Sequence, residues 1–393
     1  MSAQTDTVIA GAGIAGLTLA VLLARAGQKV CVVERQLPAP PAEEAELRVS
    51  AISRASMEVF RRCGLERSQF GERATAFEQM HVWDASGAGE IHFDSAEMGM
   101  DTLGYIIENS RVQRALLDVL EQHDNVELRC PALITDVVRQ ADAMQVILED
   151  GVIDARLIVG ADGVRSLVRE KSGIEFHSSA YGQSGLVCVI ANELPHQNTA
   201  WQIFLADGPL AFLPMFDVGD RHQCSIVWTL PTETAMLYCE LEADAFIERL
   251  SEAFQHRLGG LELVSSRSAF PLQHGHVDQY VADGVALIGD AAHVIHPLAG
   301  QGANLGILDA AALASTIVEA RDAGRDWSAV HNLRAYERHR KGENRLMESA
   351  MTGFNTLFSN DDQWLAMIRN AGLNIVDQAP FIKQRFMRQA MGI

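Results

Sequence analysis

The residues best suited to chemistry fall in three short motifs. Gly11-Ala12-Gly13-Ile14-Ala15-Gly16 lies between an apolar run, Thr7-Val8-Ile9-Ala10, and an Ala- and Leu-rich stretch from Ile14 to Ala26 that stops at Gly27. Read as buried strand, loop and helix, this spacing gives each glycine a task. Gly11 permits a tight turn, Gly13 lets a pyrophosphate approach the backbone, and Gly16 lets helix and strand pack closely. The helix N-terminus turns unpaired N–H groups and a partial positive charge toward the phosphates. Glu34 stands at the end of a second apolar run, Val30-Cys31-Val32-Val33, where its carboxylate can accept from ribose hydroxyls and would repel a 2′-phosphate. A lone glycine pattern can also be a tight structural turn, but within a strand–helix–strand unit it points to a dinucleotide.

The second motif is Leu157-Ile158-Val159-Gly160-Ala161-Asp162-Gly163, followed by Arg165 and Ser166. Taken alone, an Asp-Gly pair after a buried strand also reads as a turn. The third is Leu287-Ile288-Gly289-Asp290-Ala291-Ala292-His293. It sets Asp290 at the end of a buried strand, the edge where open parallel sheets bind ligands. Pro297-Leu298-Ala299-Gly300-Gln301-Gly302-Ala303-Asn304 follows, and a helix starts at about Gly302. That N-terminus is a second anion site, suited to a flavin ring, which becomes negative when reduced. The bland alternative is a loop that only caps a helix. His293 and His296 flank this motif, as proton relays or as structural hydrogen-bonding groups.

The elements that must carry these motifs are readable from periodicity. Three buried strands precede the three motifs, and helices are expected over Ser53–Cys63, Arg111–Gln122 and Asn304–Ala320. Met80–Trp83 and Ile91–Phe93 flank Ser86-Gly87-Ala88-Gly89, a hairpin pattern. From Tyr181 to Phe270 the pattern turns strand-like, with one helix expected over Glu242–Arg257, and the chain from Trp327 is mostly helical. The fold class is therefore α/β, a Rossmann-like domain with an inserted mixed β-sheet and C-terminal helices. The dinucleotide domain is discontinuous, over 1–75, 105–180 and 275–330. Segments 76–104 and 181–274 form a substrate domain, and 331–393 a helical segment. For 393 residues, two or three domains are expected.

Composition narrows the function further. Lys and Arg number 32 against 51 Asp and Glu, a net charge of −19. Such a surface repels phosphate backbones and argues against nucleic acid as a partner, and against adsorption to anionic lipid by charge alone. No apolar run approaches a spanning helix, and the N-terminus lacks a basic leader, so the expected compartment is the cytoplasm. The six cysteines form no C-x-x-C pair, so no metal site is expected and the thiols read as core residues. Thirteen methionines read mostly as core, some of them as candidates for a soft apolar tunnel.

Taken together and in this order, the motifs resemble the aromatic-ring hydroxylases of the p-hydroxybenzoate hydroxylase fold. His296 to Asp309 matches H-P-[LIV]-[AG]-G-Q-G-x-N-x-G-x-x-D, the signature of the ubiquinone-biosynthesis hydroxylases, at every fixed position. The resemblance covers essentially the whole chain, including Leu47–Ser53, Val82-Trp83-Asp84, Ile107-Glu108-Asn109, Phe212-Leu213-Pro214 and the tail Arg388-Gln389-Ala390-Met391-Gly392. Within the family it is most similar to the branch that oxygenates ring carbon 5 of a 2-polyprenylphenol; ring carbons 1 and 6 are the alternatives.

The resemblance implies FAD as cofactor and NAD(P)H as transient co-substrate, with hydroxylation of an aromatic ring through a C4a-hydroperoxyflavin. Gly11, Gly13 and Gly16 would cradle the pyrophosphate and Glu34 the adenosine ribose. Arg48 and Arg111 would contact the phosphates or ribityl chain. Asp162 and Gly163 would lie near FAD and the pyridine nucleotide, and Asp290 would hold the ribityl or pyrophosphate. Gly302, Ala303 and Asn304 would face the pyrimidine edge of the flavin. No catalytic base is identified; His293, His296 and Pro297 are the candidates. The implied partner is a lipophilic polyprenylphenol, its tail in a channel walled by Phe204–Phe216 with Pro214 near the ring. Other ubiquinone-biosynthesis proteins, a second copy of the chain and the inner-membrane surface are further expected contacts. Two rival readings are another flavoenzyme, such as a halogenase, whose W-x-W-x-I-P stretch is missing, or a prenyl reductase, and a non-catalytic flavoprotein scaffold of the quinone-synthesis assembly.

Overall fold

The structure is a computed structural model that describes residues 3–42, 44–87, 89–140, 143–295, 301–358 and 380–392. At its centre the strand Ala3–Ala10 runs parallel to Val30–Val33 on one side and Val152–Gly160 on the other. Val126–Arg129 extends the sheet past Val30–Val33, and Val285–Leu287 extends it past Val152–Gly160, both in parallel. Val30–Val33, Val285–Leu287 and the C-terminal halves of Ala3–Ala10 and Val152–Gly160 are buried on both faces, as central parallel strands require, whereas Val126–Arg129 at the edge is only partly so. An antiparallel arm, Ile134–Arg139 and Met144–Leu148, grows from the N-terminal half of Val152–Gly160. The motif-bearing loops therefore all leave the same end of one sheet.

Helix Ile14–Arg25 packs on this sheet and against helix Gln301–Asp322. The two approach closely: a Cβ on Gly306 would lie 3.1 Å from the Ala15 Cβ. By length and composition, residues 302–322 could cross a membrane, but 61% of their most apolar stretch is buried in this core. Burial also pushes the thiols of Cys31, Cys63 and Cys188 up to about 12, as inert core residues.

A second, mostly antiparallel sheet has the order His293–Val294, Ser268–Val277, Phe176–Asn192, His222–Pro231, Gly208–Pro214, Thr199–Leu205, Gln79–Asp84, Glu90–Asp94. The strand Phe176–Asn192 runs unbroken through position 180, so residues from Phe176 onward already belong to this sheet. Two helices, not one, accompany the insertion. Ala243–Ala253 answers the expected helix; Thr232–Glu240 was hidden because Met236 and Leu237 are exposed and leave no apolar stripe.

The two faces of the second sheet differ. On the outer face Phe212 stacks on Phe254 with ring centroids 3.6 Å apart, among Leu210, Trp228 and Phe246. The inner face presents Ala200, Ala211 and Leu213 to a small sheet, Val49–Ser53, Gly104–Glu108 and Thr75–Phe77, and to the C-terminal helix Pro380–Met391. Phe212 is thus ordinary sheet core and not channel wall, because successive residues of a strand point to opposite faces.

Candidate active site

The first glycine loop has the shape its spacing demands. Gly11 takes φ +103°, and a Cβ there would sit 2.5 Å from the Ala161 carbonyl oxygen. A Cβ on Gly16 would lie 2.1 Å from the Gly11 carbonyl oxygen, so only glycine lets the helix start so close to the strand. Gly13 is different: a Cβ there meets nothing within 4 Å. It is the N-cap of Ile14–Arg25 and no side chain caps that helix, so the first-turn N–H groups open onto free space. Glu34 leaves the end of Val30–Val33 and braces the loop, its Oε2 accepting from the Ala12 N–H at 2.8 Å and its Oε1 from Gln36 at 3.1 Å. Gln113, which no motif had marked, donates to the Ala12 carbonyl at 3.2 Å.

In the second motif, Asp162 Oδ2 accepts from the N–H groups of Leu167 and Val168 at 2.7 and 3.2 Å. Its Oδ1 is buried and has no hydrogen-bond partner among the described residues. Gly163 follows at φ +78°. Arg169, also unmarked by the sequence, donates to the carbonyls of Val164 at 2.7 Å and Ala291 at 2.9 Å. It ties the second motif to the third.

Asp290 projects from the turn Gly289–Ala291 and is solvent-exposed, yet protein closely surrounds it. Desolvation pushes its carboxyl above the ordinary carboxylate range, against the opposing pull of His293 and Arg48. Arg48 is exposed on the approach to the site. Arg111 Nε donates to Glu108 Oε2 at 2.6 Å and its Nη2 to the Ala42 carbonyl at 3.1 Å. Glu108, almost wholly buried, also pairs with Arg73 at 3.0 Å.

Gly302 and Ala303 lie half-buried in the first turn of Gln301–Asp322. Asn304 uses its side chain to hold that turn in place, accepting from the Ser53 N–H and the Ser56 hydroxyl at 2.9 and 2.7 Å and donating to the Ala51 carbonyl at 2.8 Å. His296 and Pro297 lie outside the described residues.

Behind Asp290 stands a buried charged network that sequence reasoning missed. Asp309, fully buried, accepts from His293 Nε2 at 2.5 Å, the Gly289 N–H at 3.1 Å, Arg340 Nε at 2.8 Å and Asn344 Nδ2 at 3.2 Å. Burial alone would raise its carboxyl; His293 and Arg340 outweigh this and hold it at about 2. Asp309 closes the H-P-x-x-G-Q-G signature, but nothing local pairs it with Arg340 on the next helix, Val330–Phe358. His293 is therefore placed in this network, with its ring stacked near Tyr280.

These residues fit a dinucleotide flavin. An open helix N-terminus meets the space a pyrophosphate needs, a buried carboxylate oxygen at Asp162 awaits a donor, and Asp290 would gain from hydroxyls that donate to it. Comparison with known proteins agrees. Residues 4–349 match the family described as FAD binding domain. The chain is 37% identical to the 3-demethoxyubiquinol 3-hydroxylase of Escherichia coli K12, over 99% of each chain. It is 36% identical to the ubiquinone hydroxylase UbiL of Rhodospirillum rubrum, over 98% of this chain and 89% of that one. Among solved structures, PqsL of Pseudomonas aeruginosa, titled a probable FAD-dependent monooxygenase, superposes with a TM-score of 0.78 at 26% identity, covering 94% of this chain and 99% of its own. The chain belongs to the FAD-dependent aromatic-ring monooxygenases, among the hydroxylases of ubiquinone biosynthesis.

Proposed function

We propose that this chain hydroxylates the ring of a polyprenylated phenol or quinol on the way to ubiquinone, consuming NAD(P)H and O₂. The observation that carries the reading is the joint presence of an intact FAD cradle and full-length identity of 37% to a ubiquinone-pathway hydroxylase. Bound FAD supplies the redox chemistry and the activation of oxygen. The protein's own part is to bind, orient and exclude water. The Gly11–Gly16 loop and the helix Ile14–Arg25 hold the pyrophosphate, Glu34 takes the adenosine ribose and Asp290 the ribityl hydroxyls. Gly302 and Ala303 turn backbone N–H groups to the flavin edge. The inner face of the second sheet, with Ala211 and Leu213, closes over the ring and keeps the site dry.

The resemblance within the family favours ring carbon 5. The Escherichia coli relative, named for the 3-position of demethoxyubiquinol, favours the last open carbon of a nearly finished quinol. Each buried CH₂ of a prenyl tail returns about 0.8 kcal/mol, so an apolar protein chamber can compete with the bilayer for such a substrate. The protein would then work from the cytoplasmic side, at the inner-membrane surface. The deciding experiment is quinone-intermediate profiling in a deletion strain. An accumulating polyprenylphenol or quinol that lacks one hydroxyl, and clears on complementation, supports the reading and names the carbon. An unchanged profile, with coupled hydroxylation of small polar phenols only, refutes it.

A further inference from the structure

The thirteen methionines are not spread evenly over the fold. Five of them, Met80, Met98, Met100, Met387 and Met391, gather in one apolar layer between the inner face of the second sheet, the small sheet and the C-terminal helix. The layer on the other side of the same sheet contains no methionine among the described residues and is built from stacked aromatics and branched aliphatics. One face of the sheet is therefore stiff and the other soft. Methionine is unbranched, with three rotatable side-chain bonds, so such a layer can repack around a flexible apolar guest at little cost.

The layer also reaches the helix turn that the hydroxylase reading sets at the flavin edge. Met387 and Met391 are buried, one helical turn apart on the inward stripe of Pro380–Met391. Lys383, on the same stripe, pairs with Glu97 at 2.8 Å and fastens the helix to the turn Ser95–Met98 that carries Met98. At the helix end, a Cβ on Gly392 would lie 2.8 Å from the Ala55 Cβ and 4.0 Å from the Ser53 hydroxyl. Ser53 is the residue whose N–H Asn304 holds at 2.9 Å. The layer thus begins beside the first turn of Gln301–Asp322 and leads away from it to Met98 and Met100, which are half-buried.

Building on the hydroxylase reading above, we infer that this methionine layer seats the prenyl tail of the substrate, and that Met387 and Met391 determine how many prenyl units it takes. The aromatic ring stays at the flavin edge while the tail displaces thioether side chains along the C-terminal helix.

The test uses the FAD-loaded full chain. kcat/KM is measured for phenols carrying one to eight prenyl units, in the wild type and in Met387→Phe and Met391→Phe. A stiff ring in place of a thioether should lower the ratio of long-tailed to one-unit kcat/KM about tenfold, the loss of a few methylene contacts. Met98→Phe and Met100→Phe, at half-buried positions, give the same readout should the buried variants fail to fold. A prenylphenol with a diazirine at its tail end provides an independent readout, and should label peptides that contain Met98, Met100 or Met387. Folded variants with the wild-type length profile, or a label outside the layer, overturn the inference and leave the hydroxylase reading standing. A wild type that hydroxylates small phenols and no prenylated one overturns both.

Discussion

Asp309→Asn is the sharpest test of how the site is held. The substitution keeps the shape and removes the charge. Its amide nitrogen, if turned to the Gly289 N–H, sets donor against donor; if turned the other way it faces Arg340 Nε, another donor. Arg340, itself only 2% exposed, would lose its buried carboxylate partner. Removing one member of a buried pair typically costs about 3–5 kcal/mol. For a chain of this size unfolding as one unit, that is a fall in Tm of roughly 4–6 °C. The pH dependence gives a second, independent check. Burial raises the Asp309 carboxyl, but His293 and Arg340 hold it down at about 2 against an ordinary 3.8. A depressed acid contributes stability that is present above the ordinary value and is lost as pH falls through the folded one. The contribution is about 2 kcal/mol, lost between roughly pH 4 and pH 2. Thermal melts of FAD-free wild type and variant should therefore differ at pH 7 and converge as pH falls toward 2. FAD titration should show weaker binding, because the Gly289–His293 segment that carries Asp290 loses its anchor. Equal melting temperatures at pH 7, or a deficit that does not shrink on acidification, would refute the reasoning.

Asp290→Asn should act in the opposite direction on the FAD-free chain. Desolvation raises this carboxyl, so its ionisation opposes folding as pH climbs through its folded pKa, and the variant should melt higher at pH 7 while binding FAD more weakly by calorimetry. Gly13→Ala, where a Cβ meets nothing, should leave the FAD-free melting temperature unchanged and still weaken FAD binding; Gly11→Ala, at φ +103° and 2.5 Å from the Ala161 carbonyl oxygen, should lower both. Phe212→Ala should cost about 3–5 kcal/mol in denaturant unfolding, through the cavity left against Phe254, whereas a wall residue would instead change the prenyl-length profile.

How far the sequence reaches depends on whether a feature is local. The loop at Gly11–Gly16 was readable because turn, close approach and helix start are decided within six residues. The position of Glu34 beside that loop was readable because the strand before it must end there. The faces of Gly208–Pro214 were not, since all seven residues are buried and no apolar–polar alternation survives to say which way Phe212 or Leu213 points. Only the family resemblance sets Arg111 at the FAD phosphates or ribityl chain. Its commitment to Glu108 and Ala42 depends on a loop brought back from 69 positions earlier. Arg340 and Asn344 carry no motif, and only the crossing of two helices delivers them to Asp309.

The same crossing explains why two aspartates of one motif region behave so differently. His293 pulls both carboxyls down, but Asp309 also receives Arg340, Asn344 and a backbone N–H, and it is held well below the ordinary range. Asp290 has only the more distant help of His293 and Arg48 against its desolvation, and it is left above that range. One carboxylate is satisfied inside the protein and fixes the turn, and the other stands solvent-exposed at its tip with its ionised form disfavoured by the protein around it. Keeping an under-solvated acid at the end of a buried strand is unfavourable without a ligand, and it becomes favourable when hydroxyl donors arrive to hydrogen-bond the ionised form. That difference between the free and the loaded chain is what lets Asp290 favour FAD binding, while Asp309 keeps the turn ready for it.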